Sequence, residues 1–335
     1  MRPLALFCLL FYSCTYAEVL GDDSLSRKTP SVSVTASYND PFCTELCKSV
    51  VGFYNPETRY NENYVFDRSL YHYKVDTLPQ VRFWRNIMNL HQDSAIVSVA
   101  HSRTIIQKIC IREWNGKTEL EKQWYRDSVR QALQLDTNGR ILITSGKKFF
   151  YDFDHTSRNF QNGINSFIRN GVDPWYAQAI LLIESPNKLQ KSNVGAYGPF
   201  QLMKDVAKMY GLKVNKHVDE RADFERSAYA ASSLIKSICI PYATRMLDSL
   251  KITDYSKDEL WFKLLVMHVY HAGAGNVRRA LFTIQPKEGN MDLIFTLWRT
   301  QTSRFKSASQ NYSQLVLAAM LEMDQRRNIP QQYSY

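Results

Sequence analysis

Asp173-Pro174-Trp175-Tyr176-Ala177-Gln178-Ala179-Ile180-Leu181-Leu182-Ile183-Glu184-Ser185-Pro186 is the stretch on which the fold turns. Asp173 is a good helix N-cap, and Pro174 suits the first helical position, where its missing N–H would have had no partner. Trp175 to Ile183 then runs apolar, so the helix belongs inside a core built by other elements. Ser185-Pro186 stops it. Glu184 is thus a carboxylate at the end of a buried helix. Apolar neighbours disfavour its charged form and the negative end of the helix dipole pushes the same way, so its pKa should rise. A carboxylic acid still protonated near neutral pH is equipped to donate a proton to a leaving oxygen.

Working outward, the sequence beyond this helix keeps helical punctuation. Phe200, Met203, Ala207 and Tyr210 mark one face of a helix opened by Pro199, with Gln201 in its first turn and Gly211 closing it. The next starts near Asp223, turns Ala228, Ala231, Leu234, Ile235 and Ile238 inward, and ends before Pro241. Ser256 and Glu259 make a capping box for one that runs to about Tyr270. Val277 to Ile284, Met291 to Trp298 and Tyr312 to Met323 complete the series. On the other side the pattern is mixed. Val81, Trp84, Ile87 and Met88 follow helical spacing, Ala95 to Ala100 and Arg140 to Thr144 read as short strands, and Glu119 to Leu135 reads as a helix. No catalytic motif stands out there. The fold class is mainly α, with a helical domain at 155–325 preceded by a smaller mixed or helical domain at 41–154, a polar linker at 18–40 and a tail at 326–335.

Composition narrows the class. The 335 residues are 44% hydrophobic and 22% charged, enough for a real core and unlike a disordered chain. The formal charge of +10 favours a polyanionic neighbour, but the basic residues are dispersed in doublets such as Lys147-Lys148 and Arg278-Arg279, which argues against nucleic acid. Arg2 precedes an apolar run from Leu4 to Tyr12 that is too short to span a bilayer and reads as a secretory signal over 1–17. Cleavage after Ala17 gives an exported, soluble chain, whereas processing at Cys14 gives a lipid-anchored one. Cys43, Cys47, Cys110 and Cys239 then remain for one or two disulfides. His268 and His271 share a helix face but lack further ligands, so they read as core or site-lining residues and no metal is implied.

Glu184-Ser185 is followed by Ser192 and then by Gly195-Ala196-Tyr197-Gly198-Pro199-Phe200-Gln201-Leu202-Met203. Two glycines around small residues make a tight turn that lets backbone approach a ligand. Later come Val218-Asp219-Glu220-Arg221, read as a structural turn with an Asp–Arg pair, then Tyr270-His271-Ala272-Gly273-Ala274-Gly275-Asn276-Val277, and Tyr312 in the last helix. This ordered set resembles the catalytic domain of lytic transglycosylases, of the soluble (SLT) and membrane-bound murein transglycosylase D type. The resemblance covers about half the chain and says little about residues 18–150.

The resemblance implies a lysozyme-like helical fold and a peptidoglycan substrate, cleaved without water at the β-1,4 bond to leave 1,6-anhydromuramyl ends, in the periplasm or cell envelope. It makes Glu184 the single general acid/base, and places Ser185, Ser192, Gly198, Gln201, Met203, Tyr270, His271 and Tyr312 around the glycan, with no cofactor. Three positions depart from the family pattern: the Glu184-to-Gln201 spacing is one residue short of many relatives, His271 replaces an Asn, and Ala308-Ser309-Gln310 replaces Glu-Thr-Arg. Two other functions stay open on the residues alone. A goose-lysozyme-like hydrolase would need a second carboxylate, for which Asp219 and Asp223 are the nearest downstream, and a non-catalytic wall-binding protein would simply keep the groove.

Overall fold

The apolar helix of the sequence is Pro174–Glu184, and every residue from Pro174 to Ile183 is buried. Asp173 accepts from the Trp175 N–H at 2.8 Å. Its other oxygen pairs with Lys263 Nζ at 2.6 Å, tying this helix to a second one, Leu260–Ala272. That helix is buried from Leu260 to Val269. A third, Ser307–Arg326, packs against both. These three carry the centre of one hydrophobic core that runs from Tyr64 to Met323. This architecture comes from a computed structural model that describes residues 49–55, 60–136, 139–151, 153, 156, 159–184 and 191–327. The signal and linker segments, Cys14, Cys43, Cys47, Ser185 and residues 328–335 lie outside the described residues. Among the described residues no helix is long and apolar enough to cross a membrane.

The mixed segment ahead of the helices shares that core. Strands β1 (Val50–Asn55) and β2 (Tyr60–Val65) form an antiparallel pair. The side-chain amide of Gln178 then continues the ladder. It donates to the Val65 carbonyl and accepts from the Val65 N–H, both at 2.8 Å. Trp175 Nε1 donates to Asp67 beside it at 2.8 Å. Helix Pro79–Asn89 lies on Ser307–Arg326 and buries Val81, Phe83, Trp84, Ile87 and Met88, which include the four its spacing marked. A small antiparallel sheet has β3 (Ser94–Val99) between β4 (Ile105–Cys110) and β5 (Ile141–Ser145). Helix Glu119–Ala132, with a Thr118/Glu121 capping box, contributes Tyr125 and Val129 to the small cluster on that sheet.

One buried carboxyl joins the two ends of the described chain. Asp324, 2% exposed, accepts hydrogen bonds from the hydroxyls of Tyr64 and Tyr71, the latter at 2.9 Å. Burial pushes its pKa up to about 7 against the pull of the two phenols.

Three local expectations fail, each for a physical reason. Pro199 does not open a helix: Gln201 sits at φ 46° in a turn closed by the Tyr197–Leu202 bridge, and the helix begins at Lys204. Pro241 does not end one. A π-helical turn, Ile235–Cys239, joins Phe224–Leu234 to Ile240–Ser249, and its wider winding accommodates the ring and missing N–H of the proline. Ser256 and Glu259 form only half of a capping box. The Glu259 carboxylate accepts from the Ser256 N–H at 2.9 Å, but the Ser256 hydroxyl takes the Asp258 N–H instead, so the helix starts later, at Leu260. Cys110 and Cys239 are free thiols.

Candidate active site

Glu184 ends its helix at the edge of the buried core. The residue keeps partial contact with solvent while its carboxyl is enclosed by protein. Burial raises its pKa to about 7, although a hydrogen bond from Tyr312 Oη to Oε1 at 2.7 Å pulls the other way. Its second oxygen has no protein hydrogen-bond partner among the described residues. Both forms of the acid are therefore populated near neutrality, and one oxygen is free to reach a substrate.

Three phenols surround this carboxyl. Tyr312 contacts it directly, and Tyr270 and Tyr151 lie close enough for its charge to raise their pKa values further, above what burial already does. All three stay neutral through the range in which Glu184 titrates. Tyr270 Oη donates to the Phe200 carbonyl at 2.5 Å, which fastens the glycine turn to the central helix. Phe200 itself is buried and stacked on Phe167. His271 leaves the central helix in the outward direction and stacks on Tyr312, with ring centroids 4.1 Å apart and planes at 20°. His268, one turn earlier, is fully buried and bonded through Nε2 to Ser313 Oγ at 2.8 Å. Its burial lowers its pKa to about 3, so it is neutral.

The glycine turn is held from behind by Arg221. This guanidinium, 2% exposed, donates to the carbonyls of Gly195 and Leu202 at 2.8 and 2.9 Å and grips Asp219 with two further bonds. Gly198 has φ 86°, and a Cβ there would stand 1.8 Å from the Arg221 carbonyl oxygen. Both the conformation and the close approach require glycine. Gly195, at φ 90°, has open space where its Cβ would be. The Ser192 hydroxyl accepts from the Ala196 N–H at 2.9 Å, so it shapes the turn that it belongs to. Gln201 donates to the Gly198 carbonyl at 3.1 Å. Met203 is exposed at the end of the turn.

Asp219 and Asp223 are both committed to structure. Asp219 is the partner of Arg221, and Asp223 caps Phe224–Leu234 by accepting from the Arg226 N–H at 2.8 Å. The structural reading of Val218-Asp219-Glu220-Arg221 therefore holds. The structure joins Glu184, Tyr270, His271 and Tyr312 into one cluster and links Gly198, Phe200 and Gln201 to it through the turn. Tyr151 is the residue that sequence reasoning missed. It carries no motif, and only its long-range packing reveals it.

Residues 165–291 match the family model described as the Transglycosylase SLT domain. The match covers Glu184, the glycine turn, Tyr270 and His271, while Tyr151 and Tyr312 lie on either side of it. It does not distinguish the D type from its relatives. No curated protein matches the chain.

Proposed function

We propose that residues 165–291, which match the transglycosylase SLT domain model, cleave peptidoglycan with Glu184 as the single general acid/base and that the products carry 1,6-anhydromuramyl ends. The observation that carries this reading is the Glu184 carboxyl itself: enclosed, raised to about 7, bonded on one oxygen by Tyr312 and without a second partner among the described residues. Protonated, it donates to the glycosidic oxygen between MurNAc and GlcNAc. The resulting carboxylate then takes the proton of the muramyl C6 hydroxyl as that oxygen attacks the anomeric carbon of the same sugar. One bond to the leaving sugar breaks, one intramolecular C–O bond forms, and the acid returns to its starting state.

Most glycosidases flank the scissile bond with two carboxyl groups. Asp219 and Asp223 are already occupied by Arg221 and by a helix N-terminus, so neither is free to activate water. An attacking group within the substrate removes the need for one, because well-oriented intramolecular attack reaches effective molarities of about 10⁵ to 10⁸ M. Gly195, with open space where a Cβ would stand, lets the backbone approach the glycan, and the family resemblance assigns contacts with it to Ser185, Ser192, Gly198, Gln201, Met203, Tyr270, His271 and Tyr312. The protein acts after export, through the leader at 1–17 or a lipid on Cys14, on a wall whose stem-peptide carboxylates suit the basic chain.

Mass spectrometry of fragments released from purified peptidoglycan, with Glu184→Gln alongside, tests this reading. Anhydromuramyl ends that disappear in the variant are expected. Ordinary reducing ends would establish a hydrolase. Binding to the wall without fragment release by either protein would leave a wall-binding protein.

A further inference from the structure

Five consecutive side chains, Gln310-Asn311-Tyr312-Ser313-Gln314, form a polar belt around the first turns of helix Ser307–Arg326. Each is bonded in a different direction. Gln310 Nε2 donates to the Thr300 carbonyl at 2.8 Å. Asn311 Oδ1 accepts from Arg103 Nη2 at 3.0 Å. Tyr312 donates to Glu184. Ser313 Oγ accepts from Trp298 Nε1 at 2.7 Å and is paired with His268 Nε2. Gln314 Oε1 accepts from Trp84 Nε1 at 3.0 Å. Residues 100° apart on a helix cannot all be engaged unless its rotation and its height along the axis are both fixed. The helix has no side-chain N-cap to do this, since Lys306 makes no capping bond.

Two of the anchors, Arg103 and Trp84, come from the segment ahead of the matched domain. Arg103 is 7% exposed, at φ 58° in the turn between β3 and β4, and its guanidinium lies over the rings of Phe83 and Trp84 at 4.9 and 5.3 Å. The two anchors therefore form one unit that grips the residues at 311 and 314, on either side of Tyr312. We propose that Arg103 and Trp84 are positioning residues for the Glu184 site, holding Asn311 and Gln314 so that the Tyr312 hydroxyl is kept on the carboxyl. This gives the small sheet and helix Pro79–Asn89 a role in the chemistry, and it rests on Glu184 being the acid of the proposed reaction.

The Tyr312 bond favours the charged form of Glu184, so loosening Tyr312 raises the pH at which Glu184 titrates. Among the described residues the titratable groups around Glu184 are Tyr151, Tyr270 and Tyr312, which remain neutral there, and His271, stacked on Tyr312, whose burial lowers its pKa to about 4 so that it too is neutral. The experiment is a pH titration of the full chain labelled with ¹³C-carboxyl glutamate, with the Glu184 signal assigned by its absence in Glu184→Gln. Arg103→Met and Asn311→Ala are expected to raise the midpoint by roughly half to one pH unit, with kcat on glycan falling and KM unchanged. Arg103→Lys, which can still donate to Asn311, restores the original midpoint. Trp114→Phe, which thins the contact of a buried ring with Tyr125 of helix Glu119–Ala132, lowers stability and leaves the midpoint where it was. Asn311→Ala removes a half-buried side chain while leaving the Arg103 packing on Phe83 and Trp84 in place, and keeps the test alive if Arg103→Met does not fold. An unmoved midpoint in Asn311→Ala, or an equal rise in Trp114→Phe, overturns the proposal. The titration needs no turnover, so a chain that releases no anhydromuramyl fragments would sink the proposed reaction while the positioning by Arg103 and Trp84 is still decided.

Discussion

Glu184 and Asp324 are two acids of nearly the same pKa in one core, both raised to about 7 by burial and both bonded by phenols. They differ in what is left over. Asp324 has a tyrosine on each oxygen and is closed to solvent. Glu184 has one tyrosine, a second oxygen with no partner among the described residues, and partial contact with solvent. Burial makes a carboxyl ready to hold a proton near neutrality, but only an unoccupied oxygen with access makes that proton transferable. An elevated pKa alone would have named both residues; the hydrogen-bond inventory separates them.

That contrast breaks first at Glu184→Gln. Loss of a general acid should cost about 10² to 10⁴ in rate with the fold intact, as read by fragment release and circular dichroism. Asp324→Asn should leave the activity of the folded fraction unchanged, and a comparable loss there would erase the distinction. Next, Tyr312→Phe removes a bond to a charged group, worth roughly 1.5 to 3 kcal/mol, so a loss of about ten- to a hundredfold in kcat is expected. The alkaline limb of the pH–rate profile should also move up. Tyr71→Phe, the matching deletion at Asp324, should move neither kcat nor that limb. It should instead lower the denaturation midpoint by an amount equivalent to about 1 to 3 kcal/mol, because it strands a buried oxygen.

One effect is shared by both acids. Unfolded Asp and Glu titrate near about 4. With folded values of about 7, the folded chain holds more protons between those limits. The stabilising contribution is complete below about pH 4, is lost progressively as pH rises to about 7, and is flat above that. Thermal melts between pH 5 and 8 should therefore show Tm falling with pH, and Glu184→Gln and Asp324→Asn should each flatten the slope. A slope unchanged in both variants would mean that neither acid is raised in solution.

Much of this was legible in residues read locally. Asp173, Pro174 and Ser185-Pro186 bounded the acid helix, Gly195 and Gly198 announced the turn, and Asp219 with Arg221 announced its bracket. Such signals act within a few residues and survive in any fold. Gln201 was misplaced because the left-handed backbone it adopts has no residue-level signature in glutamine, and Pro241 because a π turn can absorb a proline that usually ends a helix. The partners of the site were illegible for a different reason. Tyr151 carries no motif, and Arg103 and Trp84 meet Asn311 and Gln314 across 208 and 230 positions of sequence. Tyr312 came into view only through the family resemblance.

Gln178 stands in for a strand at the edge of β2, and Asp324 closes on Tyr64 260 positions away. As the chain leaves the ribosome, the hairpin emerges early and its partners arrive late. Contacts of such sequence separation slow folding and make it wait for the last helix. Chains truncated before Ser307 should accumulate as protease-sensitive, chaperone-bound species, so that no wall-cleaving fragment appears before synthesis is complete.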